Sequence, residues 1–419
     1  MTNLDITKAY IGSTPVTAMY LGSTKIYPHK TIYRPKVYDY VYSDGSWSTA
    51  KDSTKTCVGI ITDVRSMDFD FMALQDVSTS KTVWGNAMAT ALVTTNDKSE
   101  ARLDFKGKTN TEEIVAKSTN NSAAKACVEY STDGFPAGSW YLPAAGQLMA
   151  SGVDFTELND RLSDVDGTRF YDNGEETHWT STQGGASTNA WECYLGANTS
   201  IGTVSKTSYA LARPFCTIEY NHIDNGIYIC DKENKYYSNT EWINSGKAAS
   251  EAIGVAVVTT NAQFLIAKEG PTSMAWGLTS GSVNMLYDIT STPIAKKDYA
   301  GRVNTKLMLK KTTGTTYAAG YCSNYSFDNN ANGYLGSVGE WTEVENNLST
   351  IESYMSAISG TSVNSSQWTS DSYTASSAWR LNPGKDSTGM DTAILDKNQR
   401  IAVRPFALLP IKNGKESQG

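Results

Sequence analysis

The residues that could do chemistry in this 419-residue chain are few and scattered. Three histidines, at 29, 178 and 222, are too far apart in sequence to suggest a zinc site. Six cysteines (57, 127, 193, 216, 230 and 322) include no Cys-x-x-Cys pair. They read as small buried hydrophobes of a protein made in a reducing cytosol. No Gly-x-Ser-x-Gly elbow or phosphate loop occurs. The acidic run DFTELNDRLSDVDG at 154–167 has the spacing of a helix's solvent face, not of a clustered calcium cage. Carboxylate pairs that cleave sugars converge only in three dimensions, so a glycan-cleaving enzyme stands as the third reading. The expectation is therefore no catalytic residue, no metal and no cofactor.

Contact chemistry is richer. The chain holds 24 Tyr and 10 Trp among abundant Ser, Thr, Asn and Gly, a palette suited to binding loops and equally to a turn-rich β protein. Trp140, Trp179, Trp191, Trp368 and Trp379 could each stack on a sugar ring, with Trp140, Trp179 and Trp368 expected in the core. The polar stretches 181–211 and 370–400 are punctuated by aromatics and point to a recognition surface. The binding set read from them is Trp191, Tyr194, Asn198, Tyr373, Trp379 and Arg380. For Trp191 and Trp379, capping the core is an equally open role. Arg213 and Arg404, each before a proline, read as buried arginines bonded to loop carbonyls.

Net charge is −7 with no basic stripe, which argues against nucleic acid. The longest apolar run, AIGVAVV at 252–258, is too short to cross a membrane. The N-terminal stretch MTNLDITKAYIGST lacks the pattern of a signal peptide. A surface-like palette without an export signal fits a virus particle, whose adhesins are made in the host cytoplasm and freed by lysis.

What must position these residues is a design used twice. SWYLPAAGQL at 139–148 and NGYLGSVGEWT at 332–342 align with an offset of 193. Trp47 with Trp242, Gly59 with Gly254, GKTNT with GRVNT and AAKAC with AAGYC follow at offsets of 194 or 195. HWTS with QWTS, NAW with SAW and ARPF with VRPF close the series at 188–191. So long a period is no solenoid, and each copy is expected to bury its own core. The expected division is an arm at 1–30, copies at 31–220 and 221–412, and a polar tail at 413–419.

Each copy reads as α+β. VYDYVYSDGSW predicts a strand entering a hairpin, with KTCVGIITDV as its partner. A helix is expected from Asn110 or Thr111 as cap, and a second from Pro143. In the second copy Trp341, Val344, Leu348, Ile351, Met355 and Ile358 predict one apolar helix face.

The ordered series (DGSW, GKTNT, WYLP, WTST, NAW, RPF) resembles the C-type-lectin-like fold. It is most similar to phage and bacterial surface proteins of the diversity-generating-retroelement-target and formylglycine-generating-enzyme type. That resemblance implies two tandem domains, each two helices on a loop-rich antiparallel sheet. The second copy departs from the pattern at Gly333-Tyr334-Leu335-Gly336. The family's EPN, QPD and WND calcium triplets are absent, as is the cysteine pair of the oxidising enzymes. AYIGSTPV and MYLGSTKI, repeating at a spacing of ten, resemble leaders on structural proteins of crAss-like phages of Bacteroides. A short β arm docking on other virion proteins is implied. The expected function is a head or tail fibre protein that attaches to a host surface glycan or protein, as a homo-oligomer (dimer or trimer). The alternative is a bacterial surface adhesin or carbohydrate-binding protein with no virion attachment.

Overall fold

The computed structural model describes residues 34–85, 94–117, 122–172, 176–269, 272–277, 285–311, 314–328, 332–384 and 390–411. It also describes the backbone of four short strands between 10 and 27. Those four form two antiparallel pairs, Tyr10–Ile11 with Thr14–Pro15 and Met19–Leu21 with Thr24–Tyr27, one for each leader repeat. The rest mixes short helices with loop-rich, mostly antiparallel sheets, an α+β architecture.

Apolar runs become doubly covered central strands. Cys57–Val64 lies between Tyr40–Tyr42 and Asp68–Ala73, and Phe215–Glu219 forms the far edge. After residue 220 the order recurs. Ala252–Val258 lies between Gly226–Asp231 and Gln263–Ala267, with Pro405–Ala407 beyond. A second sheet in each half joins Thr177–Gly184, Asn189–Tyr194 and Ser200–Ser205, or Gln367–Ser372, Ser377–Pro383 and Met390–Asp396.

The repeat extends to single hydrogen bonds. Trp179 Nε1 donates to Thr82 O and Trp368 Nε1 to Met274 O, both indoles being fully buried. Thr111 Oγ1 bonds Leu142, and Thr305 Oγ1 bonds Leu335 in the same way. Gly146 and Gly339 recur because a β-carbon there would fall 2.4 Å from Arg102 O and 2.3 Å from Asp298 O. Only glycine lets the helix come so close to the preceding loop.

Several expectations shift. The helix expected from Asn110 or Thr111 spans Gly107–Lys117 and follows a short one at Lys98–Ala101, so Asn110 and Thr111 are buried within it and do not cap it. Asn110 instead donates to Asp104 Oδ2 at 2.9 Å and Ser181 Oγ at 3.2 Å. The second helix begins at Ala145, two residues after Pro143. The apolar face from Trp341 to Ile358 is buried except for Leu348, which is half-buried, and the helix breaks at Asn347 into Val338–Asn346 and Leu348–Ala357. Trp47 and Trp242 are not equivalent, since one sits on the strand Trp47–Ser48 and the other on the helix Asn239–Ser245.

The halves are joined by buried contacts. One apolar cluster takes Met149, Trp191 and Phe215 from the first and Met285, Leu307 and Trp368 from the second. Arg102 crosses the seam to Asp298 Oδ2 and Asn304 Oδ1, both at 3.0 Å. Arg302 pairs with Asp63, and Lys297 with Glu100 at 2.9 Å.

Candidate recognition surface

The two stretches singled out by their aromatics fold into the second sheet of each half, with Asn189–Tyr194 and Ser377–Pro383 inside it and Ser200–Ser205 and Met390–Asp396 at an edge. Trp191 and Trp379 are not on its surface. Their exposures are 1% and 2%, and their indole nitrogens donate to Thr95 O at 3.0 Å and Ile289 O at 2.8 Å. Segments earlier in the chain fold over these rings and supply the carbonyls, so both residues are core and neither can stack on a ligand.

The other four lie at or near the surface. Tyr194 is half-buried, its hydroxyl donating to Asp172 Oδ1 at 2.5 Å. The same oxygen accepts Ala197 N at 3.3 Å, and Thr199 Oγ1 donates to Gly196 O at 2.8 Å. This turn holds Asn198 exposed at its tip. Tyr373 packs edge-on against Trp379, with centroids 5.5 Å apart and planes at 88°. Arg380, next along the strand and on the opposite face, donates to Ser366 Oγ at 3.0 Å. Tyr194 thus gathers with Asn198, and Tyr373 with Trp379, each group within its own half.

Two lysines that anchor these stretches escaped the sequence reading. Lys206 lies 4.5 Å from the Trp84 ring centroid and donates to Gln183 Oε1 at 2.8 Å. Lys397 lies 4.5 Å from the Trp276 ring centroid and donates to Ser372 Oγ at 3.0 Å and Thr374 O at 2.8 Å. Both are almost fully buried, and burial pulls Lys206 down to about 8 and lowers Lys397 as well. Each tryptophan in turn donates into the neighbouring strand, Trp84 to Thr180 O and Trp276 to Thr369 O, both at 2.7 Å. A cation desolvated on an indole face is a strong local anchor. The signal was present, because Lys206 and Lys397 are 191 apart and Trp84 and Trp276 are 192 apart.

The expected structural arginines are as read. Arg213 and Arg404 are fully buried and donate to Ala73 O and Thr168 O, or to Ala267 O and Ser362 O. Among the described residues no group of three His, Cys, Asp or Glu side chains is placed to hold a metal ion. Two crevices lie along the seam between the halves, one beside Asp63 and Arg302 and one beside Arg102 and Met285, each with room for about one water. The surface therefore offers contact chemistry, with amide, phenol and guanidinium groups on anchored strands.

No family model matches the chain, and no curated protein matches it. A solved structure described as a fimbrial protein from Bacteroides ovatus aligns at 22% identity over 43% of this chain, with a TM-score of 0.33. The alignment spans 48% of that protein, about half its length.

Proposed function

We propose that this chain is a displayed recognition protein: two tandem C-type-lectin-like domains on a virion-docking arm, a head or tail fibre protein of a tailed phage. Residues 1–30 would bind other virion proteins. The faces at Tyr194–Asn198 and Tyr373–Arg380 would meet a host surface glycan or protein. The observation that carries the reading is the matched pair of anchored, polar segments in the second sheet of each half. Equivalent Lys–Trp contacts hold both in place and leave side chains of hydrogen-bonding and aromatic type outward. Rigid aromatics with adaptable polar neighbours offer contact area at low entropy cost. The leader resemblance supports the virion as the place of display.

Deleting residues 1–30 tests the arm. The truncated protein is expected to melt as the full chain does, because the buried clusters among the described residues lie beyond residue 34, yet to be missing from purified particles. Normal incorporation would overturn the docking role. Recovery of the full chain from bacterial envelopes and never from particles would favour the adhesin.

A further inference from the structure

Just before its last strand each half carries the same arginine in different company. His178 bridges Leu211 in parallel, two residues before Arg213. Gln367 pairs in parallel with Ala402, two residues before Arg404. Each Nη1 donates to an equivalent alanine, Ala73 or Ala267, themselves paired with Gly59 and Gly254. The two guanidiniums therefore occupy matching sites. In the first half Arg213 Nε donates to Asp76 Oδ1 at 2.7 Å, and His178 Nε2 lies 3.2 Å from the same oxygen. One carboxylate thus bridges both side chains.

In the second half the residue aligned with Asp76 at the 194-residue offset is Gly270. Arg404 makes no ion pair with a carboxylate among the described residues. Its Nε is buried without a partner, and so is Gln367 Oε1, both residues being 0% exposed. Glu352 is engaged by Ser362 Oγ at 2.9 Å, by Val363 N at 2.7 Å and by Asn364 N at 3.1 Å. Burial without a paired acid pulls Arg404 down to about 10. A buried cation left without a counter-charge is strongly unfavourable.

We propose that the second half binds a small inorganic anion of the halide class between Arg404 Nε and the Gln367 amide, where the first half places the Asp76 carboxylate. The glutamine suits this task. Its Nε2 lies 2.6 Å from Ser365 Oγ, a hydroxyl that can either accept or donate. With the amide turned over, Oε1 accepts from Ser365 and Nε2–H is directed at the anion. Full burial of both side chains suits a monatomic ion over phosphate or sulfate.

Crystals of the full chain grown in sodium bromide test the assignment through an anomalous difference map at the bromine edge. The expected result is a peak at hydrogen-bond distance from Arg404 Nε and none beside Arg213, where Asp76 fills the place. Density without anomalous signal at Arg404, no density there, or an equal peak beside Arg213 would each overturn it. In solution, bromide replacing gluconate at constant ionic strength should lower the unfolding constant about tenfold at ten times the dissociation constant. Gln367→Met should blunt that effect. If the variant does not fold, the map from the unaltered protein still decides.

Discussion

Arg102→Ala is expected to destabilise the protein by about 3–5 kcal/mol, the cost of removing one partner from a buried ion pair. The reason lies in a difference between the two polar centres. In the first half Asp104 accepts from Asn110 Nδ2 at 2.9 Å and from Thr182 Oγ1 at 2.8 Å. In the second, Asp298 accepts from Asn304 Nδ2 at 3.0 Å, but Asp371 stands where Thr182 does. The equivalence is direct, since Ala145 N donates to Thr182 Oγ1 and Val338 N to Asp371 Oδ2. The second half thus buries an extra carboxyl. Burial is the largest influence on both acids and raises them, but at Asp298 the Arg102 charge together with hydrogen bonds from Asp371, Asn304 and the Ala300 amide leaves the carboxyl below its ordinary value. Asp371 is driven well above the usual range by burial and then by the charge of Asp298. Its otherwise unpartnered Oδ1 can share a proton with Asp298. Asp371→Thr, the first half's residue, should therefore restore much of what Arg102→Ala loses. A urea double-mutant cycle measures the coupling. Additive losses would mean that Arg102 does not act through Asp371.

The second large effect is on pH. Glu340 is buried at the start of Val338–Asn346, its Oε2 accepting Ser337 N at 2.8 Å and its Oε1 accepting Tyr334 OH at 2.7 Å. Burial raises it from 4.5 to about 7 against these bonds. A carboxyl that binds its proton more tightly when folded adds stability fully below 4.5, and that stability is lost as pH rises through about 7. The shift corresponds to about 3 kcal/mol. Asp371 acts with the same sign, whereas Lys306, lowered to about 7, and Lys206, lowered to about 8, act in the opposite sense from about pH 7 upward. Unfolding midpoints should thus be higher at pH 5 than at pH 7.5. Glu340→Gln should reduce the slope and leave the share due to Asp371, and it should be tolerated because the first half places Gln147 there with an equivalent bond to Ala144 N at 3.0 Å. A wild-type midpoint that does not change with pH would refute the assignment.

The repeat was legible because its matches are residues that a fixed backbone demands. Gly146 and Gly339 meet a carbonyl, Trp179 and Trp368 bond buried carbonyls, and Arg213 and Arg404 hold loop ends. Trp47 and Trp242 show the limit, since two tryptophans at the right offset can occupy different elements. Burial of Trp191 and Trp379 was not legible. Their covers, Thr95 and Ile289, lie about 90 residues away, and no local pattern announces them. Asn110 and Thr111 looked like cap residues because polar residues at a helix start usually are. Here they serve a buried polar centre. Arg102 gave no signal at all, because its partner sits in the other half.

The central claim, recognition by the second sheets and their turns, is tested most directly by measuring cell attachment of a protein with alanine at Tyr194, Asn198, Tyr373 and Arg380. None of the four is fully buried, so the melting temperature should stay within a few degrees. Attachment should weaken about tenfold or more, a loss of roughly 1.4 kcal/mol. Unchanged attachment by the folded quadruple variant would contradict the account and place the binding surface elsewhere.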